Sequence, residues 1–142
     1  MICTAGLNVL PAVAAASVGN CLALLDAQQP FMVKAGCSRL QLLMRLDAAR
    51  EQAAAEGAAP KLLKLVAPST DAGVVEYALS ALEVLAGCEA GLAAVARDGG
   101  AATLQSYLAA AERSPATEDS IFRAQRLLAA VAATAVAAAA AT

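Results

Sequence analysis

Histidine and tryptophan are absent from this sequence, and aromatic residues make up only 3% of it. Without histidine the commonest general base and the commonest zinc ligand are missing, and no Ser-His or Cys-His catalytic pair can form within the chain. Four cysteines, Cys3, Cys21, Cys37 and Cys88, are scattered singly with no C-x-x-C pair. That pattern reads as small buried apolar side chains, against a disulfide or metal reading. Ten Lys and Arg stand against twelve Asp and Glu, a formal net charge of −2 spread along the chain. The basic footprint that nucleic acid requires is missing, so no nucleic-acid partner is expected. Neither G-x-G-x-x-G nor the P-loop pattern occurs, so Gly57, Gly99 and Gly100 read as corners of the chain and not as a phosphate cradle. No catalytic residue, cofactor or metal is expected, and the chain reads as a non-enzyme.

Charge is also missing from the first 25 residues, Asp26 being the first charged side chain. Asn8, Pro11, Ser17, Gly19 and Asn20 interrupt that stretch and no basic segment precedes it, so it reads as helical core and not as a signal peptide or a span. The run from Leu127 to Ala141 is uncharged, but its fifteen or so residues fall short of the roughly 20 that a span needs. A cytoplasmic location is expected, with a membrane-associated helical protein as the reading from a different class.

What is present is alanine and a helical period. Hydrophobic residues make up 60% of the 142. Much of this share is alanine, which favours helix and brings little apolar area per residue, so a single all-α domain with a thin core is expected. From Pro11, residues Val13, Ser17, Val18, Cys21, Leu22 and Leu25 recur at spacings of three and four, which predicts a helix ending near Asp26 or Ala27. After a break at Gln28 to Pro30, a short helix from Phe31 is expected to stop at Gly36 in the left-handed conformation. No Gly or Pro falls between Ser38 and Glu56, which allows one helix of about nineteen residues.

Gly57 ends that helix and Pro60 suits the opening of the next, whose apolar face is Leu62, Leu63, Leu65 and Val66. Asp71 is the expected N-cap of a helix over about Ala72 to Ala86, with Val75, Ala78, Leu79, Leu82 and Leu85 on one face. Glu89 to Arg97 and Ala102 to Glu112 follow as helices, with Leu104, Tyr107 and Leu108 inward. The last helix starts near Glu118 with Ile121, Ala124, Leu128 and Val131 as its stripe, its two acids suiting the positive N-terminal end. Tyr77 and Tyr107 are expected to pack between units, and residues 134–142 to form a fraying alanine-rich tail.

The stretch from Asp47 to Ala86 is a unit of short helix, Gly corner, second helix, polar turn and third helix, and a second copy follows from Cys88 to Ala132. Matching corners and anchors lie about 42 to 46 residues apart, in the range of armadillo and HEAT repeats. Gly57, Ala58, Pro60, Leu62, Leu63 and Leu65, followed by Asp71, Val74, Ala78, Ala81, Leu82, Leu85 and Ala86, resemble the second and third helices of an armadillo repeat. The resemblance implies an all-α, right-handed solenoid of helix triplets whose third helices line a concave, protein-binding groove. It divides the single domain into partial or degenerate repeats over residues 7–46, complete repeats over 47–87 and 88–133, and the tail. In the partial region Leu7 to Leu25 resembles a third helix and Asp26 to Leu46 a first and second helix, leaving the next third helix absent, as in either a degenerate repeat or a truncated or misassembled array.

On that resemblance the expected partner-binding groove comprises Glu76, Ser80, Glu83, Val84, Phe122 and Arg126. Many family members carry Trp and, four residues later, Asn on the third helix. The matching positions here are Ser80 and Val84, Arg126 and Ala130, and Asn20 and Leu24, which argues against recognition of a basic targeting peptide. Glu76, Ser80 and Glu83 read either as an acidic patch for a basic segment or as a solvated helix face. Phe122, Arg123 and Arg126 read either as a mixed aromatic and basic contact or as a Phe122 that covers the edge of the core. The function expected is a protein interaction scaffold, the partner unidentified, with a chaperone cofactor resembling the armadillo-type exchange factors of Hsp70 as the alternative. Self-association through uncapped ends is expected too, because at least three repeats are usually needed for stability.

Overall fold

The computed structural model describes residues 17–141, with side chains through Thr134. Every regular element among the described residues is an α-helix, as the composition requires. Helix α1 covers residues 17–24, and Val18, Cys21, Leu22 and Leu25 are buried at the predicted spacing. These side chains therefore do not form an uncapped apolar surface. The expected start at Pro11 and the position of Cys3 lie outside the described residues.

Helix α2 runs unbroken from Pro30 to Leu43, which corrects the expected stop at Gly36. That glycine is buried inside the helix and has no positive φ. A Cβ there would lie 2.8 Å from the Leu24 Cβ and 3.1 Å from the Cys21 carbonyl oxygen. Gly36 is thus a point of close approach between α1 and α2, the other use of a residue without a side chain. A second correction follows at once. The chain turns at residues 44–46, where Leu46 is extended (φ −84, ψ 128), and α3 begins at Asp47 and ends at Ala55. No single helix spans 38–56. Packing supplies the break that no Gly or Pro encodes: α2 lies against the fifth helix and α3 against the sixth, described next.

Gly57 adopts φ +87 between α3 and α4 (Ala58–Leu65). Pro60 sits in the first turn of α4, where a missing N–H loses no helical hydrogen bond. Helix α5 spans Ala72–Leu85 and is capped as expected, the Asp71 carboxylate accepting from the Gly73 and Val74 amides at 3.0 and 3.2 Å. Helix α6 spans Glu89–Arg97, with the Cys88 sulfur accepting from the Gly91 amide. Gly99, at φ +84, separates it from α7 (Gly100–Ala110). Helix α8 spans Glu118–Ala141. The alanines expected to fray therefore continue the helix, in line with their propensity.

The buried side chains form one cluster in which Leu40, Leu62, Leu79, Leu82, Leu85 and Leu104 are fully enclosed and alanines fill the gaps between helices. Helix α5 packs against α2, α4 and α8, and α8 against α5, α6 and α7. The order of elements recurs, at an offset of 42 residues until α8, which opens 46 after α5. Pro30 and Ala72, Asp47 and Glu89, and Ala58 and Gly100 open successive helices 42 residues apart, and Gly57 and Gly99 keep the same separation. Tyr107 is buried as expected, with its pKa raised by burial against the opposing effect of the Ser120 hydroxyl. Tyr77 is 41% exposed, so it does not pack between units. The stripe of Val74, Val75, Ala78 and Leu79 turns α5 inward and leaves Tyr77 on the outer side.

Candidate partner-binding surface

Glu76, Ser80 and Glu83 fall at spacings of four and three on α5 and therefore share one side of it. Glu76 is exposed, and Ser80, Glu83 and Val84 are half-buried. Across from them on α8, Phe122 is 57% exposed and Arg126 stands outward beside it. The two helices meet through charge. Arg123 donates to Glu83 Oε1 at 2.9 Å, and an Arg126 nitrogen lies 3.2 Å from Oε2. The Arg126 guanidinium is also 5.5 Å from the Phe122 ring centroid, in range of a cation–π contact one helical turn apart.

These contacts revise the acidic patch. Glu83 has both oxygens committed to arginines of α8, so it does not stand free for a basic segment, whereas Glu76 is open to solvent. The structure brings together Glu83, Phe122 and Arg126, with Arg123 completing the cluster. Ser80 and Val84 line the same side of α5 and join no recorded side-chain hydrogen bond. The pairing of Glu83 with arginines 40 and 43 positions later had no local signal. Two other ion pairs join helices distant in sequence: Lys34 of α2 with Asp71 at 3.4 Å, and Lys61 of α4 with Asp26 after α1. Lys34 and the Val74 amide, the latter more strongly, hold the Asp71 carboxyl below its usual value.

Two larger clefts lie elsewhere on the described residues. One of about 410 Å³ lies between the α4–α5 and α7–α8 turns, lined by Pro68, Thr70, Val75, Tyr107, Arg113 and Thr117. The other, about 450 Å³ and mostly apolar, lies beside α1 and α2 among Ser17, Cys21, Leu24, Arg39, Leu42 and Leu46. The first also includes Glu112 and Ser114. Among the described residues no group of three or more Cys, Asp or Glu could hold a metal ion, and Cys21, Cys37 and Cys88 are free thiols. Burial pushes the Cys37 thiol up to about 12 and raises Cys21, partly offset there by Arg39, which keeps both protonated and unreactive. Among the described residues no helix is long and apolar enough to cross a membrane.

Comparison of the chain with protein-family models, with curated proteins and with solved structures finds no match.

Proposed function

We propose that the chain is a non-enzymatic interaction module of armadillo type, a right-handed stack of helix triplets that binds a protein segment along its third helices. The observation that carries this reading is the 42-residue recurrence of the helix order, with left-handed Gly57 and Gly99 at matching corners. Each stacked repeat contacts its neighbours, and α2, α5 and α8 pack in succession.

In this register α2 is itself a third helix, so the first unit lacks none, and the partial region reads differently from the expectation drawn from sequence. Its positions matching Ser80 and Val84 are Ser38 and Leu42. None of the three third helices then carries the Trp and Asn pair, and recognition rests on other side chains. The groove is formed by Lys34, Ser38, Glu76, Ser80, Phe122 and Arg126.

Site-directed photo-crosslinking in lysate tests the reading. A crosslinker at Ser80 on α5 is expected to capture a protein partner, whereas one at exposed Ala93 on α6 captures none. Equal labelling from both positions, or capture from Ala93 alone, would remove the third-helix surface as the binding face. The Hsp70-cofactor alternative has no residue here that favours it.

A further inference from the structure

The α5–α8 cluster is not neutral, and its parts are not equally accessible. Arg123 and Arg126 bring two positive charges to the single negative charge of Glu83. The Glu83 side chain is only 18% exposed, and that of Arg126 is 61% exposed. Arg126 therefore presents donors to solvent while its anionic partner lies beneath it. A guanidinium has five N–H donors in a rigid fork that matches a carboxylate. Phe122 on one side and Glu83 below hold that fork in place, which lowers the cost of ordering it on binding.

The surroundings fix the sense of the charge. Arg126 is the last charged residue of α8, so beyond it this helix brings no carboxylate of its own to oppose an incoming anion. The acids of α8, Glu118 and Asp119, lie at the other end, in a shallow cleft with Arg113 and Phe122. They disfavour a carboxylate on the Glu118 side of Phe122, which leaves the Arg126 side for it. A basic segment would have to displace two arginines of this chain from Glu83, with exposed Glu76 two turns away as its other acid.

Building on the interaction-module reading above, we infer that this face takes an acidic linear segment of a partner protein. A carboxylate of Asp or Glu pairs with the Arg126 guanidinium, and a neighbouring aliphatic or aromatic side chain covers the Phe122 ring.

The experiment is selection of random linear peptides displayed on phage against the full chain, followed by titration of the selected peptides. Acidic peptides with a carboxylate beside a bulky apolar residue are expected. Arg126→Ala and Phe122→Ala, both at exposed positions, should each weaken binding about tenfold, as loss of an interface anchor does. Glu83→Gln carries the opposite sign, because it removes the competing negative charge while its amide oxygen can still accept from a guanidinium and keep it oriented, and it should tighten binding of an acidic peptide. Circular dichroism of each variant establishes that the fold is kept. Selected peptides that are basic, and that bind less well to Glu83→Gln, would overturn the inference while leaving the third-helix surface as the binding face. An empty selection, or peptides indifferent to substitutions at Ser80, Phe122 and Arg126, would overturn the inference and count against that face as well.

Discussion

The triplet α3–α5 and the triplet α6–α8 share a helix order, their first two helices opening 42 residues apart and their third 46, yet they are held in different ways. In the first, α5 lies between α2 and α8 and buries seven of its residues, Val74, Val75, Ala78, Leu79, Ala81, Leu82 and Leu85. In the second, α8 packs on α5, α6 and α7 and turns Phe122, Gln125, Arg126 and Ala129 to solvent. The turn before α5 is held by the charged cap Asp71. The turn before α8 is held by the Thr117 hydroxyl, which accepts from the Ser114 amide and donates to the Glu112 carbonyl. A shared helix order thus coexists with unequal enclosure. The same substitution is expected to have different consequences in the two places.

The largest contrast should come from truncating core leucines. Leu82→Ala removes a fully enclosed side chain in α5 and should cost about 2 to 5 kcal/mol, with Leu127→Ala in α8 toward the lower end, because neighbours can relax into the open side. Urea titration of both variants measures the difference, and equal losses would show that α8 is as enclosed as α5. Glu83→Ala should cost less than either, about 1 kcal/mol, since the arginines that it leaves reach water.

A second contrast lies between Gly91 of α6 and Ala49, which occupies the corresponding position of α3 at 1% exposure. A Cβ on Gly91 would fall 1.8 Å from the Leu85 carbonyl oxygen, a backbone atom that cannot rotate aside. Gly91→Ala should therefore cost about 3 kcal/mol through overpacking. Ala49→Gly should cost only about 1 kcal/mol in helix propensity. A thermal melt in which both variants lose the same stability would mean that α6 shifts to make room.

The corners should behave alike. Gly57→Ala and Gly99→Ala each force a side chain into the left-handed region and should each cost about 1 to 2 kcal/mol. A marked inequality in denaturant titration would break the equivalence of the two triplets.

The smallest effect separates the two turns by pH. The Asp71 carboxyl is depressed in the folded chain, so the folded state binds fewer protons than the unfolded one near its titration. The stability that it contributes is present above the unfolded value of about 3.9 and is lost as pH falls through the folded value. Exchange of the Gly73 and Val74 amides, relative to intrinsic rates, should accelerate on acidification below that range. The Ser114 amide, bonded to an uncharged hydroxyl, should show no such step. In Asp71→Asn the acid-range response should vanish while the cap oxygen remains.

What was legible in the sequence was local. Gly57, Pro60, Asp71 and the stripe from Val75 to Leu85 act within a few residues of themselves, and spacing alone placed them. Gly36 was misread because glycine serves a helix end and a helix crossing equally well. Only the position of Leu24 and Cys21, twelve or more residues earlier, separates the two uses. The turn at residues 44–46 had no breaker to announce it, since it lies between α2, which packs on α5, and α3, which packs on α6. Among the candidate surface residues, spacing put Glu76, Ser80 and Glu83 on one side of α5. It could not reveal that Glu83 was already held by arginines of α8, because long-range charge pairing leaves no periodic trace.

Cys37 adds a kinetic consequence. Its thiol is fully buried in the helix that lies against α5 and stays protonated until about pH 12, so a soluble alkylating reagent has neither access nor a nucleophile to meet. Modification must wait for α2 to open. At high reagent concentration the rate should stop depending on the reagent and settle at the opening rate itself. One native side chain thereby times how long the molecule stays shut, with no label added.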